Sequence, residues 1–499
     1  GIRAYLEEEF DEIWCFNLRG DGRITGDGRN IFEYSGKSTG GTRTPVAIII
    51  LVKNPTKNKH VINYCSIEDK YYSGKDKRDR VKELGSIKGI KNWEIIKPDS
   101  DFDWVDKKIN TFSQYLPMGS KKTEKGKENT VFHINSNGIA TSRDTWMYNF
   151  SKSEISKNMK RQIEYCNKQD LTDPEIDNKK HDPKQESWSP DISQRLKNRK
   201  AIFDKNKIRV SLYRPFFKQY LYFDQTFNHR LSLIPKILPD GQSENLIISI
   251  PTKGQVGKFS TIISNVIPDS HIIEQSLCFP LYVYENGKKD RKENITNLTL
   301  EEYRIFYKDD KITKEDIFYY VYGLLHHPQY RKKYANNLSK EFPHIPMAPK
   351  FWEYVNAGRN LAKLHLNYEN GKKYDLGTPK NKKFGKLRKI SFGRNKTEGK
   401  RSTNHNEILI NSILIFDNIP EINYRVYSRT PLEWMIDRYA RSIDKNSGIV
   451  NDPGNIDIIS LIERLVYVGV ESDKIIKNLP KEFEPVNWSP RKTGLEKFT

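Results

Sequence analysis

FDEIWCFNLRGDGRITG (10–26), followed at 41–55 by GTRTPVAIIILVKNP, sets two uninterrupted apolar runs on either side of a glycine- and arginine-rich loop. Neither run alternates polar with apolar residues, which is the pattern of strands covered on both faces of an open α/β sheet. Pro45 fits at the opening of the second strand, because inside a strand it would remove a ladder hydrogen bond. GIRAYLEEEF (1–10) ahead of them reads as a helix. The order helix, strand, long loop, strand is that of the end of an open sheet, not its beginning. The first residues are Gly1-Ile2-Arg3, with no initiator Met, signal peptide or N-cap, so the chain is expected to be a piece of a longer polypeptide.

Working outward, a short strand (HVINYCSI), a charged helix to Leu84 and a strand at Trp93–Ile96 continue the unit, with a last helix expected near Phe102–Tyr115. GSKKTEKGKEN (119–129) mixes glycine with alternating charge and reads as a linker. Beyond it the character changes. A tight turn at Asn137-Gly138 precedes a helix over Ser153–Cys166, and Ser189-Pro190 opens another, DISQRLKNRKAIF. Residues 207–285 are β-rich, 299–370 mainly helical with apolar spacing of three and four, and EILINSILIF is a β-like run ahead of a helical tail with PLEWMIDRYARSI. The predicted class is α/β followed by α+β, with domains at 1–125 and 126–499.

The 499 residues suit three domains, or two with one large. Lys and Arg number 85 against 64 Asp and Glu, a net charge of +21 that points to polyanions, nucleic acid first. No apolar run reaches 18 residues, so no helical span is expected. The four cysteines lie 50 or more residues apart, which excludes a CxxC zinc ribbon and a dense disulfide framework. A P-loop and a GxSxG elbow are absent. Adjacent helical residues such as His326-His327 point about 100° apart and rarely chelate one ion, so core or surface histidines are expected there. PEIDNKK and PDSDFDW supply acids only in polar, loop-like settings.

The opening segment, together with NGIATSRDTWMYNFS (137–151), LYRPFFKQYLYFDQTFNHR (212–230), DIFYYVYGLLHHPQYRKKY (316–334) and LEWMIDRYARSIDKNSGIVNDP (432–453), resembles the C-terminal part of the Type ISP restriction–modification enzymes. Those are single-polypeptide bacterial enzymes that carry a nuclease, an ATPase, a γ-type adenine-N6 DNA methyltransferase and a target-recognition domain in that order. The resemblance implies the C-terminal strands of a Rossmann-like methyltransferase sheet, then the recognition domain. It implies a cytoplasmic protein that binds double-stranded DNA and works with the upstream methyltransferase half, ATPase and nuclease. S-adenosylmethionine, ATP and magnesium are implied for the parent enzyme.

An adenine methyltransferase needs a glycine turn for its cofactor and an Asn/Asp-Pro-Pro-Tyr/Phe turn for the flipped base. The second is missing; Asp452-Pro453-Gly454 lacks the second proline and the aromatic. YSGKSTGGT (34–42) precedes a strand instead of opening a helix, so it does not cradle a cofactor. No catalytic, cofactor or metal residue is expected in this chain, whose role would be recognition that directs methylation and ATP-dependent restriction by upstream domains.

Phosphate contacts supply affinity and base-edge contacts supply sequence choice. The loop 19–44 offers Arg19, Arg23 and Arg43 among glycines, beside Arg29 and Lys37. The turn NGIATSRDT resembles a Gly-x-x-Thr entry to the recognition domain and offers Thr141 and Arg143, although a purely intrachain Arg143–Asp144 role is equally open. PTKGQVGKFS puts Lys253 and Lys258 on a loop between strands. Residues 371–401 carry twelve Lys and Arg against Asp375 and Glu398, a net of +10 that includes Lys382, Lys383, Lys386 and Arg388. The aromatics of 212–227 fit core packing better than a single-strand stacking platform. The rival readings are a small enzyme with an unrecognised site, and a non-catalytic RNA-binding or scaffold protein.

Overall fold

The computed structural model describes residues 1–21, 28–32, 44–54, 60–105, 107–120, 130–197, 199–252, 258–285, 290–397, 400–436, 438–454, 456–483 and 486. They form two compact units, Gly1–Phe112 and Ser113–Thr499, of mixed α/β character. Of the expected linker at 119–129, residues 121–129 lie outside the described residues.

In the first unit α1 (Ile2–Glu9) leads into β1 (Glu12–Asn17), β2 (Ala47–Val52) and β3 (Val61–Ser66), then α2 (Gly74–Leu84) and β4 (Glu94–Ile96). The sheet order is β2-β1-β3-β4, with β1 parallel to β3 and antiparallel to β2. A capping box starts α2: Ser73 Oγ accepts from the Asp76 amide, and the Asp76 carboxylate accepts from the Ser73 amide.

Two expectations change here. β1 buries Ile13, Cys15 and Phe16, as a covered strand should. The outermost strand, β2, leaves Ile48, Ile49, Ile50 and Leu51 exposed at 37–46%. Successive side chains of a strand face opposite ways, so among the described residues both faces of β2 are open. The helix expected near Phe102–Tyr115 is instead a 3-10 turn at Asn110–Gln114. The Asp99 carboxylate accepts the amides of Asp101 and Asp103, and Phe102 takes φ 60°, a local turn that competes with helix formation.

The second unit is built on two four-stranded sheets. One orders Ile262–Ser264, Ile247–Pro251, Ser276–Pro280 and Ser136–Asn137, all antiparallel. The other orders Ile267–Pro268, Ile208–Arg214, Phe217–Tyr222 and Tyr148–Asn149, its first pair parallel. The helix Lys152–Lys168 turns Ile155, Met159, Ile163 and Cys166 into a core that also holds Leu221, Tyr222 and Phe227. Phe216 and Phe217 are buried as well, so these aromatics are core and not a platform for bases.

Four longer helices follow, at Asn297–Tyr307, Lys314–Leu324, Phe351–Leu366 and Ile458–Lys477. The last, which the sequence reading did not single out, is capped by Asp457. The helices expected at DISQRLKNRKAIF and PLEWMIDRYARSI shorten to Pro190–Leu196 and Pro431–Ile436. His326 and His327 are core histidines. Burial pushes both, and His365, down from the usual histidine range; His365, held between Tyr322 Oη (2.6 Å) and Ser472 Oγ (3.0 Å), falls to about 3. Among the described residues no cluster of three His, Cys, Asp or Glu could hold a metal ion, and no helix is long and apolar enough to cross a membrane.

Candidate nucleic-acid interface

The turn after Asn137 is fixed by backbone crowding. A Cβ on Gly138 would stand 2.5 Å from the Asp269 carbonyl oxygen, so the chain passes only with glycine there. Ala140 exchanges backbone hydrogen bonds with Arg230 at 2.9 Å each. Thr141, 1% exposed, donates its hydroxyl to the Asp144 carboxylate and accepts the Arg143 amide at 3.2 Å. Tyr213 Oη donates to the other Asp144 oxygen at 2.7 Å.

Behind the turn, Asp269 accepts from Arg214 Nη1 (2.8 Å), Tyr148 Oη (2.9 Å) and the His271 amide (2.8 Å). Burial nevertheless holds its carboxyl above the usual range. Arg143, 5% exposed, donates to the carbonyls of Ser187 and Phe227 and to Ser189 Oγ. Burial lowers the pKa of its guanidinium. Ser189, expected as a helix cap, makes no cap bond from its side chain, which is engaged by Arg143. Thr141 and Arg143 therefore point into the chain, and Arg143 ties two segments, 187–189 and the one at Phe227, to the turn, while Ser142 and Thr145 face solvent.

A hairpin of strands Ser442–Ile443 and Val450–Asn451 stands against this turn. Asn149 Nδ2 donates to the Val450 carbonyl and the Phe150 amide to Asn451 Oδ1, both at 2.9 Å. Tyr439 packs edge-on against Phe217 at 4.8 Å between ring centres. Turn and hairpin line an open pocket of about 540 Å³ with Glu186 in its lining. The Glu186 carboxyl is buried and pushed up to about 8, and its Oε2 meets no hydrogen-bond partner among the described residues. Three of the sequence blocks, at 137–151, 212–230 and 432–453, thus converge on one place.

The basic segment is held by a different device. Asn411 and Ser412 take φ 50° and 68°, as the two central residues of a type I′ hairpin turn do, so the β-like run expected over 407–416 is two strands. Asn411 Oδ1 accepts the amides of Arg388 and Lys389, and its Nδ2 donates to the carbonyls of Phe384 and Lys386, at 2.7–3.0 Å. One side chain thus clamps the loop 384–389. Lys380 pairs with Asp417, and Asn381 donates to the Leu414 carbonyl. Lys382, Lys383, Lys386 and Arg388 are all exposed, and none has an ion-pair partner among the described residues. The segment 382–388 thus presents four positive charges to solvent, Lys386 and Arg388 from a clamped backbone, an arrangement that suits a row of phosphates. The sequence showed the charge but not the clamp, because Asn411 lies 22 or more residues away from the amides it receives.

Of the other candidates, Lys258 is exposed beside Ser260, whose hydroxyl accepts the Tyr427 amide at 2.6 Å. Arg19, in the first unit, has φ 56° and pairs with Asp69. Arg23, Arg43 and Lys253 lie outside the described residues.

The family model for the Type ISP C-terminal specificity domain matches residues 130–466. Among solved structures the chain is similar to a nuclease-deletion mutant of the Type ISP restriction–modification enzyme LlaGI in complex with a DNA substrate mimic. There the identity is 33% and the TM-score 0.79, over 97% of this chain and 38% of that one. The ATP-dependent Type ISP enzyme LlaBIII bound to DNA gives 30% and 0.80 over 97% and 32%, and a DrdV–DNA complex 27% and 0.81 over 97% and 49%. The chain thus spans 32–49% of the length of these three. No curated protein matches it.

Proposed function

The chain belongs to the Type ISP C-terminal specificity domain family, and on that footing we propose that it recognises a specific sequence in double-stranded DNA. The observation that carries this reading is the likeness over 97% of the chain to enzymes solved with DNA. The net charge of +21 supports it, since release of counterions from neutralised phosphates drives such binding. Lys382 and Lys383, with Lys386 and Arg388 on the loop held by Asn411, take phosphates, with Lys258 as a further contact. Thr141 and Arg143 act one step behind the surface, by setting the turn that presents Ser142 and Thr145. Arg19, Arg23, Arg43 and Lys253 remain DNA contacts proposed from the sequence.

Residues 1–125 are the end of a Rossmann-like methyltransferase sheet and 126–499 the recognition domain. The open apolar strand β2 favours this: Ile48–Leu51 on an outermost strand are where the rest of a sheet would add. In the parent enzyme, recognition by this chain guides adenine-N6 methylation and licenses ATP-driven translocation and cleavage, carried by the upstream methyltransferase half, ATPase and nuclease. S-adenosylmethionine, ATP and magnesium belong with those parts.

The test is competition at fixed salt. A labelled duplex bound by the chain is challenged with random-sequence duplex and with structured RNA. Duplex DNA is expected to displace the label, and enrichment from a random pool is expected to yield one motif. RNA winning by a wide margin, or no duplex binding at about 0.1 M salt where such contacts still operate, refutes the reading.

A further inference from the structure

The strands Ile390–Thr397 and Lys400–Ile410 form a ribbon whose two halves have different surroundings. At its base Ile390, Ile408 and Ile410 are buried in the core. The register then shifts between Phe392 and Gly393, so that Gly393 pairs with Asn404, and Phe392 packs on His405 at 4.6 Å between ring centres. A bulge of this kind bends a strand and increases its twist. Beyond it the pairs Arg394–Thr403 and Asn395–Ser402 continue, and the backbone pairing runs on to Thr397–Lys400.

Consecutive residues of a strand face opposite sides, so one of each pair is buried wherever a face is packed. Here Arg394, Asn395, Ser402 and Thr403 are all exposed. Neither face of this part of the ribbon is covered. An isolated two-stranded ribbon is marginal in water, and its bare edges invite pairing with other chains, so such an arm adds little to the fold. Its composition is that of a reader. Residues 394–404, RNKTEGKRSTN, carry four cations against one carboxylate, and their neutral members are Asn, Ser, Thr and Gly.

We propose that the ribbon beyond Gly393 enters the DNA major groove and reads base edges there. The inference rests on the DNA-recognition reading above and assigns the reading element within it. Four paired residues per strand beyond Gly393, at about 3.4 Å each, give an arm of roughly 14 Å. The major groove, about 12 Å wide and 8.5 Å deep, admits a two-stranded ribbon. Arg pairs with guanine and Asn with adenine by two hydrogen bonds each, and the threonine methyl meets the thymine methyl. The cationic loop 382–388 leads into the same ribbon and would hold the flanking backbone.

The test uses the 499-residue chain, a version in which 394–403 is replaced by Asn-Gly to close a two-residue turn, and the single variants Asn395→Ala and Thr403→Ala. Each is used to select from a random duplex pool. The parent is expected to enrich a motif. The shortened chain should still bind duplex in a salt-dependent way but lose preference at one or more positions of that motif. Each single variant should lower discrimination at one or two positions by about tenfold. If the shortened chain does not fold by circular dichroism, the single variants, at exposed positions, decide the matter. An unchanged motif from the shortened chain or from both single variants overturns the assignment and leaves DNA recognition standing. A parent that enriches nothing removes the underlying reading, and the ribbon's role with it.

Discussion

Replacing Lys382, Lys383, Lys386 and Arg388 together by Gln removes four exposed charges that hold no ion-pair partner among the described residues. Each phosphate contact contributes about 0.9 to the slope of log affinity against log salt. If all four touch phosphate, the slope falls in magnitude by about 3.6. Between 50 and 200 mM salt, a fourfold change, the parent would then lose about 150-fold more affinity than the variant. Anisotropy of a labelled duplex at five salt concentrations measures both slopes. The clamp by Asn411 uses backbone groups of the loop, so the substitutions leave it in place, and the unfolding midpoint should stay where it is. Single Gln variants should each remove close to one unit, which tells how many of the four make contact. A quadruple variant whose slope equals the parent's refutes the argument, because exposed charge in a fixed loop would then count for nothing.

Other consequences concern the supports of the site. Asn411→Gly keeps the positive φ but forfeits four hydrogen bonds, so urea unfolding should show a loss of about 1–3 kcal/mol; Asn411→Ala should cost about 1 kcal/mol more for its left-handed backbone. Arg143→Ala strands two carbonyls and a hydroxyl in a buried place and should cost about 3–5 kcal/mol while leaving the salt slope unchanged. Arg143→Lys should not restore it, since one ammonium cannot span three acceptors. pH acts through two buried groups of opposite sign. His365 is held at about 3, so the unfolded chain takes up the proton first, and stability falls as pH drops below about 6.5, by roughly 2 kcal/mol at pH 5. Glu186, raised to about 8, binds its proton better in the folded chain, so its contribution falls as pH climbs from about 4.5 to 8. Glu186→Gln should therefore gain stability over the parent most at pH 8 and little at pH 5; parallel profiles from unfolding at the two pH values would contradict this.

What the sequence determined by itself was the local and the compositional. Apolar runs gave β1, β2 and β3 their places, spacing of three and four gave the helices at 314–324 and 351–366, and the run of lysines and arginines marked a strongly cationic stretch of surface. Those signals are carried by neighbours along the chain, and so they survive without a fold. The ordered blocks at 137–151, 212–230, 316–334 and 432–453 also carried the family resemblance, although each is unremarkable on its own.

Tertiary structure decided which of the polar residues face outward. Beside its glycine turn Arg143 suited a DNA contact and an intrachain role equally, and folding alone shows its guanidinium donating to Ser187, Phe227 and Ser189, which are 44 and more positions away. Asn411 looked like part of a plain strand, and it turns the chain and grips a loop more than 20 residues upstream. The ribbon beyond Gly393 parts from its buried base at a register shift between Phe392 and Gly393, and that shift depends on how two strands pair, not on either strand's own pattern. A hydrogen bond or a contact between distant segments costs nothing to write into a sequence and leaves no periodicity there, so its partners emerge only when the chain is folded.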